Sequence, residues 1–334
     1  MREKKTGMNR VKVYGTLGPA CADPALLRQM LSEGMDGVRL NLSHTALEDA
    51  GDLLDCLGEA AKACGRQPEL LIDMQGPELR IGRLDAPLLL CDGDELDADA
   101  LPFPNEVRDA LNGAAPGQEL LLDDGKLLLK TIGGRRLLVV RGGRLLSRKS
   151  VALPGCEIFP PAMTQADRKH IEQAKSFGVT AVMQPFVRGP EDLIAVRCAL
   201  DRAGASDVRL LAKIESRAGI AHLAELIPHC DEIVIARGDL GNAVPLWELP
   251  AVQKRIAAAC RAAGRDFMVV TQMLDSMMHR QVPTRAEVSD IFNAVLDGAA
   301  SVMVTGETAS GDYPVAAIRY LCKTVREAEA YRNA

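Results

Sequence analysis

Two charged residues interrupt the aliphatic run RLLAKIE that begins at Arg209, placing Lys213 and Glu215 at alternate positions. Alternate side chains of a strand share a face, so this ammonium and this carboxylate look into the same space, where an unpaired charge is costly. They need a ligand or each other. A further carboxylate, Asp239, follows the next aliphatic run, DEIVIARG from Asp231. Two hard carboxylate oxygens from neighbouring strands make a partial ligand set for Mg²⁺ that leaves its other positions to substrate and water. In ARGDLG, Gly238 and Gly241 permit close backbone approach, and the segment opens a short helix whose free N–H groups suit a carboxylate or phosphate.

Other runs end in the same way. GVRLNLS from Gly37 carries Arg39, Asn41 and Ser43; ELLIDMQ from Glu69 carries Asp73; FMVVTQ from Phe267 ends in Thr271 and Gln272; SVMVTGE from Ser301 ends in Glu307. With VKVYGTLG from Val11 and AVMQPFV from Ala181 there are eight strand candidates, most followed by a helical pattern. Pro or Thr opens and Gly closes segments such as PALLRQMLSEG from Pro24 and PTRAEVSDIFNAVLDG from Pro283. Strand and helix in alternation predict an α/β chain folded as a (β/α)₈ TIM barrel. In that fold the loops after the strands open on one face, where the working residues sit. Any single polar strand end is equally where a loop begins; the set converging on one rim points to an active site.

The interval from Glu69 to Ala181 is 112 residues, against 22 to 36 between the other strand starts. Its middle has turn clusters (CDGDELDAD, DDGK, IGGRR, RGGR) between short aliphatic runs, the texture of a small antiparallel β domain. The expected organisation is residues 1–80 as the first part of the barrel, 81–150 as an inserted β-rich lid domain after strand three, and 151–334 as the second part of the barrel.

The bulk properties suit this. Apolar residues are 47% of the 334 and charged residues 25%, ordinary globular usage, while aromatics are only 3%, so the core must be built of Leu, Val, Ile, Ala and Met. A net charge of -5 with mixed signs offers no basic stripe for nucleic acid or an anionic membrane. The nine cysteines are scattered without CxxC or paired histidine spacing and read as reduced thiols of a cytoplasmic protein. The start, MREKKTGMNR, lacks an apolar stretch, and Met8 is an alternative start.

Ten stretches in order carry a resemblance: GTLGPAC at Gly15, GVRLNLSH at Gly37, DMQGPELR at Asp73, LDDGKLLL at Leu122, FVR at Phe186, AKIES at Ala212, ARGDLG at Ala236, TQMLDSM at Thr271, PTRAEVSD at Pro283 and GETASGDYP at Gly306. Over about Val11 to Ala330 the chain resembles the pyruvate kinase family. The resemblance implies transfer of a phosphoryl group from phosphoenolpyruvate to ADP, giving pyruvate and ATP, with Mg²⁺ and K⁺. It implies that Lys213 lies beside the phosphoryl group, that Arg39 clamps it, and that Glu215 and Asp239 hold the Mg²⁺. Thr271 matches the family threonine of the proton relay to the enolpyruvate carbon.

Asn41, Ser43, Asp73 and the carbonyl of Met74 match the family's K⁺ cage, and Glu78 stands where a glutamate accompanies potassium dependence. His44 and Arg80 match residues facing the ADP phosphates, Pro19 one facing the adenosine, and Asp123 and Asp124 match lid residues over the nucleotide. A strand-to-helix loop and a β-turn are equally good explanations of Pro19 and of the two aspartates. The chain departs from the family in having Pro185 where a serine precedes FVR, and in lacking the lysine expected within Met163 to Ala166. Two other readings stand beside this one: a metal-dependent pyruvate or oxoacid lyase on a similar barrel, and a non-catalytic regulatory relative.

The resemblance also implies that the effector-binding C-terminal domain is missing, leaving a homodimer through barrel helices as the possible assembly. Cooperativity requires a second site or an assembly whose states bind ligand differently. Substrate saturation is therefore expected to be hyperbolic and unchanged by fructose bisphosphate; a sigmoidal curve that the effector straightens would place a regulatory site on the barrel.

Overall fold

Short runs that are apolar on both faces can be buried on both faces, and that is how the eight candidates are used. The computed structural model describes residues 10–123, 125–156, 158 and 160–334; the polar start with Met8, and Asp124, lie outside the described residues. In chain order the strands are β1 (Lys12–Thr16), β2 (Gly37–Asn41) and β3 (Glu69–Asp73), then β4 (Leu88–Leu90), β5 (Glu95–Asp97), β6 (Glu119–Leu122), β7 (Leu127–Gly133), β8 (Arg136–Arg141), β9 (Gly143–Leu145) and β10 (Val151–Ala152). They end with β11 (Ala181–Gln184), β12 (Arg209–Ile214), β13 (Glu232–Ala236), β14 (Asp266–Val270) and β15 (Ser301–Met303). The first three and the last five, the same eight runs anticipated from the sequence, close into a parallel barrel in the order β1-β15-β14-β13-β12-β11-β3-β2. The chain is an α/β TIM barrel.

The aromatic-poor composition shows in the barrel interior, where Leu71, Met183, Leu211, Met268 and Met303 pack around Tyr14. Tyr14 fits because β2 begins with a glycine: a Cβ on Gly37 would lie 2.6 Å from the Glu69 carbonyl oxygen and 2.8 Å from Tyr14 Cε1. The alternate residues, among them Val38, Ile72, Val182, Ile233 and Val269, belong to the outer core beneath the helices. Those helices start as read: Pro24 opens Pro24–Glu33, which stops at Gly34 with φ +124°, and a Thr284–Glu287 capping box opens Arg285–Leu296. Among the described residues no helix is long and apolar enough to cross a membrane.

A second compact unit, Pro77–Pro161, comes between β3 and β11 in the chain. It holds a five-stranded antiparallel sheet, β10-β6-β7-β8-β5, the antiparallel pair β4-β9, and the helix Asn105–Asn112. It has its own core, in which Val107 and Leu111 of that helix join Leu120, Leu129, Leu137 and Val139 of the sheet.

At the N-terminal end of the barrel the apolar interior is closed by a ring of charge. Glu69 receives Lys12 and Arg209 as ion pairs and accepts the Tyr14 hydroxyl at 2.9 Å. Arg209 reaches on to Glu232 at 3.1 Å, and Glu232 accepts the Ser301 hydroxyl at 2.5 Å. Five strands are tied together by these side chains. Removing the shared acceptor strands partly buried cations, so Glu69→Gln is expected to destabilise the fold by about 2 kcal/mol, less than a fully buried pair because Glu69 is partly solvated. Urea unfolding should show that loss while kcat at 25 °C stays near the wild-type value, since the ring lies at the end opposite the rim residues.

Candidate active site

At the C-terminal ends of the strands opens a cavity of 520 Å³. Strand register brings its charged residues together: Thr16 of β1 sits beside Arg39 of β2, and Asn41 of β2 beside Asp73 of β3. Asp73, 2% exposed, is the hub. It accepts from Arg39 Nε at 2.8 Å, with Arg39 Nη2 2.7 Å away, and from Lys213 Nζ at 3.1 and 3.2 Å. Lys213 also lies 2.9 Å from Glu215 Oε1, so the alternating pair of β12 has found each other and Asp73 as well.

Glu215 is held from the other side by the backbone. Phe186, just beyond β11, has φ +50° and donates its N–H to Glu215 Oε2 at 2.8 Å. The contact between Lys213 and Oε1 lacks hydrogen-bond geometry, which leaves Oε1 buried without a hydrogen bond. Burial raises the Glu215 carboxyl, the Lys213 charge opposes this, and the Asp239 and Asp73 carboxylates raise it further, to about 7 against an ordinary 4.5. For Asp73, burial alone would raise the carboxyl, but the charges of Lys213 and Arg39 overcome it and hold Asp73 below the usual carboxylate range. Burial would likewise lower Lys213, yet Asp73 and Glu215 lift it above its ordinary value. Lys213 is thus held as a cation, and Glu215, its carboxyl raised by burial and by its acidic neighbours, is the acid of the cluster that a further positive charge would favour in its ionised form.

Pro19, Arg39, Asn41, His44 and Asp73 all line the cavity, as do Lys213, Glu215, Asp239 and Thr271. Pro19 sits in the 3₁₀ turn Pro19–Cys21, and Asp239 in the first turn of the helix Arg237–Ala243, the short helix expected there. Gly238, in that turn, leaves room for Thr271: a Cβ on it would come 3.1 Å from Thr271 Cγ2. Thr271 has φ +75° and Gln272 φ +53°. Ser43 donates its N–H to Asn41 Oδ1 at 3.1 Å, and Met74, buried, donates its N–H to the Met183 carbonyl at 3.2 Å.

Arg80, Glu78 and Asp123 belong to the second unit. There Arg80 Nε donates to Glu78 Oε2 at 2.8 Å, and Asp123 pairs with Lys149 at 2.8 Å and Lys126 at 3.3 Å. Glu307 does not line the cavity; it is buried, accepting the N–H groups of Leu274 at 3.1 Å and Thr305 at 2.7 Å, so it organises loops. Sequence reasoning missed Thr16, whose hydroxyl accepts from Arg39 Nη1 at 3.3 Å and donates to the Val304 carbonyl at 3.1 Å. As the polar end of β1 it carried the same signal as the other strand ends. Phe186 carried none.

Among the described residues no three His, Cys, Asp or Glu side chains group as a metal cluster. The cavity offers the pair Glu215 and Asp239, with the orphaned Glu215 oxygen marking where a cation would relieve surplus negative charge.

Residues 8–318 match the family model described as pyruvate kinase, barrel domain. A pyruvate kinase of Methylorubrum extorquens is 38% identical over 336 residues, covering 96% of this chain and 69% of that protein. One from Mycobacterium intracellulare is 38% identical with 95% and 69% covered, and one from Geobacillus stearothermophilus 35% identical with 93% and 55% covered. A family match over nearly the whole barrel, with relatives this similar along nearly all of the chain, establishes that this protein belongs to the pyruvate kinase family and is a phosphotransferase.

Proposed function

We propose that the chain transfers the phosphoryl group of phosphoenolpyruvate to ADP, with Mg²⁺ at Glu215 and Asp239. The observation that carries this reading is the buried Glu215 carboxylate, whose Oε1 has only the ion-pair contact with Lys213 and no hydrogen bond, in one cavity with Asp239. Three carboxylates (Asp73, Glu215, Asp239) face two cations (Arg39, Lys213), and the donor set of hard oxygens fits a divalent ion whose remaining positions go to substrate and water. Held by Glu215 and Asp239, such an ion would neutralise the negative charge of the phosphate and of the developing enolate. A monovalent K⁺ fits the oxygens of Asn41, Ser43, Asp73 and the Met74 carbonyl. They come from adjacent ends of β2 and β3, and Asp73 is kept ionised by Lys213 and Arg39. Glu78 supports potassium dependence by its matching position.

Phosphoryl transfer needs positioning and charge neutralisation more than covalent chemistry. Arg39, oriented by Asp73 and Thr16, clamps the phosphate, and Lys213, oriented by Asp73 and Glu215, stays beside the group in flight. A β-phosphate oxygen of ADP attacks, the bond from phosphorus to the enolpyruvate oxygen breaks, and the enolate carbon then takes a proton. Thr271 stands at that step; its hydroxyl is a weak acid and works through water. Gly238 and Asp239 open the helix over the substrate, while His44 and Pro19, which line the same cavity, serve the nucleotide.

Purified protein given phosphoenolpyruvate, ADP, Mg²⁺ and K⁺ is expected to release pyruvate and ATP in a coupled assay. Lys213→Met should lower kcat about 100-fold or more with the fold intact, because a positive charge in a water-poor site is worth several kcal/mol to the transition state. Near-normal turnover by the folded variant would remove Lys213 from that role.

Glu215 makes a prediction about pH. Its folded value, about 7, lies above the ordinary 4.5, so its favourable contribution is complete below 4.5 and is lost as pH rises through 7. In metal-free protein, wild-type stability should therefore fall relative to Glu215→Gln between pH 4.5 and 8, by on the order of 3 kcal/mol. At pH 8, Mg²⁺ should raise the wild-type Tm and not that of the variant. Parallel Tm profiles, or equal stabilisation of both by Mg²⁺, would take Glu215 out of the ligand set.

A further inference from the structure

Thr271 and Gln272 lie in the left-handed region without being glycine or asparagine, and Thr271 is β-branched, the side-chain class least tolerant of it. Such a conformation persists only where the surroundings impose it. The surroundings here are one guanidinium. Arg237 Nε and Nη2 donate to the Thr271 carbonyl at 3.1 and 2.9 Å, and Nη2 also reaches the Gln272 carbonyl at 3.1 Å. Its third nitrogen, Nη1, donates to Asp290 Oδ2 at 2.5 Å. The Arg237 side chain is only 10% exposed, and Gly238, the next residue, leaves space for the Thr271 methyl.

The rest of this loop has separate anchors. Glu307 takes the Leu274 N–H at 3.1 Å, and Glu287 takes the Ser276 N–H at 2.7 Å and its hydroxyl at 2.6 Å. Neither acts on Thr271 or Gln272. We propose that Arg237, aimed by Asp290, is a positioning residue that holds the Thr271–Gln272 backbone left-handed and so sets the Thr271 hydroxyl at the cavity. The inference rests on the proton-delivery role proposed for Thr271, and it gives Asp290, on the helix Arg285–Leu296, a part in the chemistry.

The test uses the full chain with Arg237→Gln and Asp290→Asn, each alone and in a Thr271→Ala background. Arg237→Gln should lower kcat about tenfold or more, as expected for a misplaced reacting group, while KM for phosphoenolpyruvate and the half-saturating Mg²⁺ concentration stay within about twofold. The solvent deuterium isotope effect on kcat should rise as the proton step becomes limiting. With Thr271→Ala already present, Arg237→Gln should cost less than about twofold more, because interacting residues are not additive. Asp290→Asn should show a weaker form of the same pattern, and it carries the test if Arg237→Gln does not fold.

An equal kcat loss in both backgrounds, or a loss confined to KM, would overturn the proposal. A crystal structure of the variant reads the clamp directly. Thr271 should leave positive φ, and an unchanged Thr271–Gln272 backbone would refute the clamp. Should the wild type release no pyruvate at all, the proposed activity fails, while this structural readout still decides whether Arg237 holds the loop.

Discussion

Everything at the rim hangs on one buried carboxylate. Asp73 is shared by Arg39 and Lys213, which arrive from β2 and β12 and would repel each other without it. Breaking a buried pair by removing one partner costs far more than the pair itself contributes, so the cluster is tightly specified even though its net stabilisation is small. The consequence is chemical. Two cations are aimed, while the carboxylate just beyond β12, Glu215, has one oxygen held by the Lys213 ion pair without a hydrogen bond and a carboxyl raised by burial.

The barrel frames this cluster with a second charged layer at its other end. There Glu69 and Glu232 bind Lys12, Arg209, Tyr14 and Ser301, and every carboxylate has its partners. Between the two layers lies an interior of Leu, Met, Val and Ala around a single tyrosine. One end is satisfied internally and the other is not, and that difference separates structural charge from functional charge better than burial does. Both layers sit on the same strands, so the closed register that builds one also builds the other.

Much of this was legible in residue order. Lys213 and Glu215 at alternate positions of an aliphatic run implied a shared face, and polar strand ends implied a rim; both inferences depend only on the period of a strand and on where barrel loops open. Glu307 obeyed the same pattern and turned out to hold loops, because a carboxylate in a turn finds backbone N–H groups as readily as a ligand. What could not be read was backbone hand. Phe186, Thr271 and Gln272 carry no glycine or asparagine signal, and their left-handed conformations are imposed by partners distant in the sequence. The Arg237 side chain had a legible position and an illegible direction: only the fold turns it onto the Thr271 and Gln272 carbonyls.

The sequence motifs beyond the charged residues make sense as anchors for the loops between them. Two capping boxes show the same device. Thr284 and Glu287 cap the helix Arg285–Leu296, and the same Glu287 carboxylate holds Ser276 beyond β14. Thr164 and Asp167 cap Gln165–Gln173, and the buried Asp167 carboxylate holds the N–H groups of Gln75 at 2.9 Å and Gly76 at 3.0 Å beyond β3. In each case a helix start is coupled to the loop after a neighbouring strand through one acidic side chain, which explains why an acid at the third helical position recurs at the rim. The departure at Pro185, just after β11, packs against one of these anchored loops. A Cβ on Gly76 would lie 2.4 Å from Pro185 Cγ, so the ring occupies the space that Gly76, at φ +59°, leaves open. Pro185 also directly precedes the left-handed Phe186 that presents its N–H to Glu215. Where the resemblance implies a serine hydroxyl, this chain has a rigid ring that packs against Gly76. Arg39, Lys213, Glu215 and Asp239 line the cavity with this ring in place.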